Sequence, residues 1–282
     1  MRYVDLHVHS TASDGSYTPQ QLVKAAQKCG LSAFALTDHD TIKGIDQAIT
    51  AAQNTSVEVI PGIEISTSYK DKEIHIVGLF IDHHNPDFID SLGSEIKRRS
   101  ARNELMIKKI NEYGIPISME ELTAMFPESV ITRAHFATYL TKKGYVEDNN
   151  EAFNRYLGDG KPFYIPRERK TTKEAIELIK SAGGVAVLAH PLLYHLTMGE
   201  LRELCKELIK YGLVGIETMY STYKGFDEQN VRAIAKEFNL LESGDSDFHG
   251  NAKPHIRLGN GMGNLQINYS YLEKLRNMTN NS

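Results

Sequence analysis

The stretch Val4-Asp5-Leu6-His7-Val8-His9-Ser10 alternates apolar and polar residues at the two-residue period of a β-strand. That period puts Val4, Leu6 and Val8 on one face and Asp5, His7 and His9 on the other. Two imidazoles two residues apart on one face can reach the same metal ion, and neutral imidazole suits zinc, manganese, iron and nickel alike. Taken alone the pair means little. It gains weight because later strand-like runs also end in imidazole and carboxylate groups: Asp38-His39-Asp40, Glu64, His75, His190, and Asp247 with His249.

Working outward, Thr18-Pro19 with Gln21 predicts a capped helix that stops at Gly30. Ser32 to Thr37 reads as a strand, and Ile42, Ile45, Ala48, Ile49 and Ala52 have helical spacing. Val57 to Ser66 reads as a strand broken at Pro61-Gly62, and Glu73 to Phe80 as a further strand. From Asp87 the rhythm becomes helical: one helix runs to Tyr113, a second starts at Ser118 and a third follows Thr132. Strand–helix alternation resumes at Thr171, with strands at Val185–Ala189, Leu213–Glu217 and Leu240–Gly244, and a short helix spans Leu272 to Met278. About seven such units predict an α/β chain with a parallel sheet closed into a distorted seven-stranded β/α barrel, an open doubly wound sheet being the alternative. The barrel is favoured because it brings ligands from many strand ends to one mouth. Residues 1–86 and 169–282 would form the barrel and 87–168 an inserted helical cap.

The 282 residues, 41% hydrophobic and 24% charged, suit one large domain or one domain carrying an insert. A net charge of −4 gives no bulk reason for nucleic-acid binding, though a local basic patch is compatible with it. No apolar run reaches the length of a membrane span, and MRYVDLHVHS lacks the apolar core of a signal peptide. Cys29 and Cys205, far apart, read as buried thiols of a reduced, cytoplasmic protein.

The candidate ligands are His7, His9, Asp14, His39, Glu64, His75, His190, Asp247 and His249, more than one tetrahedral ion needs. Each has a blander reading: a strand-end histidine often serves hydrogen bonding alone, Glu64 could be a salt-bridge partner, and Asp14 sits in a serine- and glycine-rich turn. Jointly they suit two or three divalent ions with a bridging carboxylate, a cluster that supplies hydroxide near neutral pH and clamps phosphoryl oxygens during in-line attack. His83 and His84 read as exposed, and His195 and His255 stay unassigned. In the insert, Arg99 and Arg102 share a helix face and Arg133 starts another helix, so they can hold a second phosphate; a solvated face with pairs such as Glu95–Arg99 explains them equally well. Lys161, in Gly158-Asp159-Gly160-Lys161-Pro162, is a further candidate. No P-loop, nucleophile elbow or dinucleotide fingerprint occurs.

With Asp5-Leu6-His7-Val8-His9-Ser10, Thr37-Asp38-His39-Asp40, Gly62-Ile63-Glu64-Ile65-Ser66, Ile74-His75-Ile76-Val77-Gly78, Ala189-His190-Pro191 and Ser246-Asp247-Phe248-His249 in order, the chain resembles the polymerase-and-histidinol-phosphatase (PHP) family of metal-dependent phosphoesterases. The resemblance implies a multinuclear site, manganese favoured over iron or zinc. Arg99, Arg102, Thr132-Arg133-Ala134-His135-Phe136 and Gly160-Lys161-Pro162 look like the subfamily that removes the 3′-phosphate from nucleoside 3′,5′-bisphosphates, whose members also trim short RNA from the 5′ end. It implies that Arg99, Arg102 and Arg133, with Lys161 as a weaker candidate, bind the phosphate that is not cleaved. Leu192 stands where that subfamily often has glycine. Asp14 and His190 are catalytic candidates as well as ligands, the leaving-group acid being either His190 or a metal-bound water. The expected partner is a small phosphorylated nucleotide or short RNA, with no membrane and no obligate protein partner. The rivals are a histidinol-phosphate phosphatase, an exoribonuclease and a non-catalytic metal-binding module; the intact ligand set and the lack of a polymerase-like segment argue against the last.

Overall fold

The computed structural model of the chain describes residues 1–70 and 72–279. Strand β1 (Tyr3–Val8) leads through helix α1 (Pro19–Lys28) to β2 (Leu31–Leu36), and helix α2 (Ile45–Ala52) leads to β3 (Glu58–Tyr69) and β4 (Lys72–Leu79). Helices α3 (Pro86–Glu112), α4 (Met119–Met125), α5 (Arg133–Lys142) and α6 (Asn149–Ala152) follow. A two-residue β5 (Lys170–Thr171), α7 (Thr172–Ser181), β6 (Val185–Leu188), α8 (Met198–Tyr211), β7 (Leu213–Tyr220), α9 (Asp227–Glu237), β8 (Leu241–Asp245) and α10 (Tyr269–Thr279) complete the order. Capping boxes at Thr18–Gln21 and Thr171–Glu174 start α1 and α7 as their sequences require.

Seven strands run β1-β2-β3-β4-β6-β7-β8, with β5 paired to β3 alone. The sheet nearly closes, because Val8 bridges Phe248 beyond β8 and Asp5 accepts hydrogen bonds from the Ser246 N–H at 2.8 Å and the Gly259 N–H at 2.7 Å. The expected α/β barrel is therefore present. Three local expectations are corrected. Strand β4 is antiparallel to both β3 and β6, since no crossover helix separates it from β3. Its N-terminal half, with His75, thus lies at the same barrel end as the C-terminal ends of the parallel strands. Strand β3 is continuous through Pro61-Gly62; Pro61 still pairs with Leu36 in register, and its carbonyl accepts from the Ile81 N–H.

The third correction decides where the first histidines point. Val4 and Leu6 pack with Ala33, Ala35, Val77 and Val187 inside the barrel, but Val8 packs with Phe34, Leu36 and the surrounding helices. Between Asp5 and Val8, β1 uses three steps against two on β2. This bulge breaks the strict alternation and re-aims the strand, as bulges beside active sites commonly do. Of the two thiols, Cys205 is buried as expected and Cys29 is exposed.

The helical segment between β4 and β5, called the cap below, has its own apolar cluster, including Phe136, Leu140, Leu157 and Phe163. Helix α3 belongs to both bodies: Phe88 and Leu92 pack with the barrel helices, while Met106 and Ile110 pack in the cap. Among the described residues no helix is long and apolar enough to cross a membrane.

Gly78 lies where β4 passes under α7, and a Cβ there would stand 2.8 Å from Ile179 Cγ1. Gly78→Val is expected to lower stability by about 1–3 kcal/mol through overpacking. The check is a lower urea midpoint at unchanged slope.

Candidate active site

Glu64, fully inside the barrel mouth on β3, is surrounded by imidazoles. Its Oε2 lies 3.2 Å from His7 Nε2, 3.3 Å from His9 Nε2 and 2.9 Å from His39 Nδ1. Its Oε1 lies 2.7 Å from His75 Nδ1 and 3.0 Å from His190 Nε2. Burial opposes ionisation, but His39, His75 and His7 hold the carboxyl well below its usual range.

A second group sits beside the first. Asp14 reaches to within 3.3 Å of His249 Nε2 and 3.8 Å of both His9 and His39. Burial opposes it, yet His39, His249 and His9 hold Asp14 well below the ordinary carboxylate range. Asp247 Oδ1 faces His9 and His249 at 3.3 Å, while its Oδ2 accepts from Tyr220 at 2.6 Å and from Lys253 at 2.7 Å. The nine residues expected as ligands thus form one buried or half-buried cluster.

The loops that present them are held tightly. Asp38 accepts from the Ser10 N–H at 2.8 Å and from the Ser13 hydroxyl at 2.5 Å, tying the 10–14 turn to the end of β2. Gly15 is needed in that turn, because a Cβ would meet the His9 carbonyl oxygen at 2.3 Å. Asp40, His190 and Asp247 all have positive φ, at 53°, 26° and 52°. Such backbone costs roughly 1–3 kcal/mol per residue and persists only where surrounding bonds over-determine it. Asp40 shows those bonds: its N–H donates to the Glu64 carbonyl, and its Oδ1 accepts from the Ser66 N–H at 3.0 Å.

Whether the donors fit divalent ions is decided by their unused lone pairs. His7 Nε2, His9 Nε2 and His39 Nδ1 are buried without a hydrogen-bond partner, although each lies within 3.3 Å of Glu64 Oε2. Among the described residues at least four sets of donor atoms in this cluster, including His9-Asp14-His39-His249 and His39-Glu64-His75, lie within 4.8 Å of one another. His7 Nδ1 donates to Glu217 Oε1 at 2.8 Å, which leaves Nε2 as a lone-pair donor. His249 Nδ1 donates to the Asp247 carbonyl at 2.9 Å with the same effect. The set fits.

Beside the cluster is a cavity of about 320 Å³, lined by Asp14, His39, His75 and His190 on one side and by arginines of the cap and its return segment on the other. Arg99 and Arg167 bond Asp40 Oδ2, the latter at 3.2 Å. Arg133 and Arg169 bond Glu73 Oε2 at 2.8 and 2.7 Å. Glu95 pairs with Arg98 at 2.5 Å instead of with Arg99. Arg102 is different: it is 5% exposed, its Nε donates to Asn103, and no carboxylate pairs with it among the described residues. Burial, then Arg99, Arg167 and Arg133, push its guanidinium down to about 8. The cavity therefore holds a cation with room for an anion.

Of the expected substrate residues, Arg99, Arg102 and Arg133 line this cavity, whereas Lys161 is exposed and does not line it. His83 is half-buried against Asp46 at 2.9 Å and His84 is exposed. Leu192 packs against the barrel helices, and its neighbour Leu193 faces the cavity. Sequence reasoning missed Arg167 and Arg169, although Pro166-Arg167-Glu168-Arg169 is a visible basic run. It also missed Glu73, Lys253, Glu217 and Asp245. Glu217 and Asp245 are strand residues buried behind His7, and burial with Glu217 alongside holds Asp245 well above the usual carboxylate range.

The PHP domain family matches residues 5–211 of the chain. The chain is 41% identical over 245 residues to a protein of Haemophilus influenzae named 5′-3′ exoribonuclease, covering 87% of this chain and 89% of that one. It is 33% identical over 251 residues to the 3′,5′-nucleoside bisphosphate phosphatase of Chromobacterium violaceum, covering 88% of each. Among solved structures it is similar to an amidohydrolase from Chromobacterium violaceum with bound sulfate and no metal, at TM-score 0.87, 31% identity and 96% coverage of both chains.

This geometry generates two measurable expectations. Arg102→Met should raise the melting temperature of the anion-free protein, because it removes an unpaired buried cation worth roughly 1–4 kcal/mol of destabilisation. The same change should abolish the further stabilisation that inorganic phosphate gives the unaltered chain. Second, burial works against the charged form of His75, but Glu64 and Glu73 push it up to about 10. Its proton is therefore present below that pH and must leave when the lone pair is taken by a metal. Titrating divalent metal at pH 7.5 in buffers of different ionisation enthalpy should show proton release, and affinity should rise with pH.

Proposed function

The chain belongs to the PHP domain family of phosphoesterases, and on that premise we propose that it hydrolyses the ester between O3′ and phosphorus in nucleotides that carry a 5′-phosphate. A nucleoside 3′,5′-bisphosphate, cut to a 5′-mononucleotide and phosphate, is the simplest such substrate. The observation that carries this reading is Arg102, a buried guanidinium with no carboxylate partner among the described residues, in a cavity that shares Asp14, His39, His75 and His190 with the donor cluster. A substrate with two phosphates satisfies both sites at once. A single-phosphate substrate such as histidinol phosphate leaves the arginine cavity without its counter-charge. The names of the relatives in Haemophilus and Chromobacterium agree with this choice.

Two or three divalent ions, manganese before iron or zinc, would be held by His7, His9, Glu64 and Asp247 and by His39, His75, His190, His249 and Asp14. Bound there, they supply water activation and charge neutralisation on the phosphoryl oxygens. The chain's own groups do the rest. Glu64 presents one oxygen to His7, His9 and His39 and the other to His75 and His190, so its carboxylate spans both halves of the site. Lys253 and Tyr220 hold Asp247 by Oδ2 and so aim Oδ1 inward. Arg102, with Arg99 and Arg133, orients the uncut phosphate by forked hydrogen bonds. The proton for the departing O3′ comes from His190, which lines the cavity, or from water.

The manganese-loaded protein should release phosphate from adenosine 3′,5′-bisphosphate and accumulate AMP without consuming it. Arg102→Met should raise KM for the bisphosphate about 10- to 100-fold, the loss of charge-assisted bonds. Equal efficiency on histidinol phosphate would overturn the assignment of the arginine cavity.

A further inference from the structure

The pair His83-His84 is not among the nine donors at the barrel mouth, and neither residue lines the arginine cavity. It occupies the short loop between β4 and α3, directly before Asn85, whose side chain caps α3. The backbone of that loop is fixed to the barrel. The Ile81 N–H donates to the Pro61 carbonyl at 3.3 Å, and the Asp82 N–H donates to the Ala182 carbonyl at 2.7 Å.

Neighbouring side chains of an extended chain point to opposite sides. Here a turn brings two of them together. The His84 N–H donates to Asp82 Oδ1 at 3.0 Å and the Asn85 N–H to the Asp82 carbonyl at 3.1 Å. The two imidazole rings stand 4.1 Å apart between centroids, tilted by 39°. Both face Asp46 in the first turn of α2, whose Oδ1 lies 2.9 Å from His83 Nε2 and 3.4 Å from His84 Nε2. The three donor atoms all lie within 4.8 Å of one another.

We propose that Asp46, His83 and His84 form a second metal site, separate from the cluster at the mouth, that takes one divalent ion of the zinc, nickel or copper class. In a tetrahedral zinc site with bonds of about 2.0–2.1 Å the donor atoms stand about 3.3 Å apart. The two spacings to Asp46 Oδ1 bracket that value. Two imidazoles and one carboxylate favour these metals over manganese, magnesium or calcium, so the site stays selective in a protein whose main cluster is loaded with manganese. The His83 side chain is only 11% exposed and its ring is held in place, whereas His84 and Asp46, at 69% and 66%, leave the fourth position to water. The ion joins the first turn of α2 to the root of α3, the helix that carries Arg99 and Arg102 into the cap. Phe88 and Leu92 already pack that root against the barrel helices, so the ion acts as an outer clasp on a formed joint. Its effect falls on stability.

The test dialyses the manganese-loaded protein against excess Mn²⁺ with buffered micromolar free Zn²⁺ and counts both metals per chain by elemental analysis. The unaltered chain should hold one zinc more than His84→Ala or Asp46→Ala, and all three should hold the same manganese. Both substitutions remove largely exposed side chains, and the unchanged manganese content checks that the barrel is intact. Losing one donor of three should weaken zinc binding by more than about 100-fold, because loss of an outer partner alone costs about 10- to 100-fold. The same zinc should raise the melting temperature of the unaltered manganese-loaded chain and of neither variant. Equal zinc in all three chains would overturn the site, and so would zinc that enters only in exchange for manganese. Either result would leave Asp46 as a plain hydrogen-bond acceptor for His83.

Discussion

The structure depends on one carboxylate that has too many partners. Glu64 lies among five imidazoles from β1, the loop after β2, β4 and the loop after β6. Imidazole lone pairs do not gather around a carboxylate for hydrophobic reasons. Unprotonated they repel its oxygens, and fully protonated they repel one another. A cation among them resolves both conflicts, and the surrounding loops are built to hold the donors in place for it. Asp38, Asp40, Asp5 and Glu217 each use buried hydrogen bonds to fasten a loop or a ring. The left-handed backbone at Asp40, His190 and Asp247 is tolerated within that same net.

The cap is joined to this net through charge. Asp40, which follows the donor His39, receives Arg99 from α3 and Arg167 from the segment returning to the barrel. Glu73, two residues before His75, receives Arg133 from α5 and Arg169. Two barrel carboxylates thus pair four of the five arginines around the cavity and leave the group with a net positive charge. Arg102 is the one guanidinium of the five with no carboxylate partner among the described residues, and the uncompensated charge of the group is concentrated in this cavity.

Much of this was legible in the sequence because the donors sit where strand patterns end. His7, His9, His39, Glu64, His190 and Asp247 are found by reading apolar runs and looking at the residues that close them. The features that were not legible have specific causes. The bulge in β1 is a pairing feature between two strands, so no period in one strand reveals it. The reversed direction of β4 follows from the absence of a crossover between Ser66 and Glu73, since alternation of its own residues does not distinguish the two directions. Glu217 closes the Leu213–Glu217 run and Asp245 follows Leu240–Gly244, but that both face His7 is a tertiary contact no single strand reveals. Arg167 and Arg169 fall outside any periodic element. Lys161 shows the converse: a motif placed it near the cavity, and the chain turns it to solvent.

Helix α3 is rooted at one end among the barrel helices and at the other in the cap's interior, with Arg99 and Arg102 between. A continuous helix rises about 1.5 Å per residue and does not stretch. The placement of Arg99 and Arg102 relative to the donor cluster is therefore set by backbone geometry. Lengthening or shortening the helix by a residue would rotate these guanidinium groups by about 100° relative to the barrel.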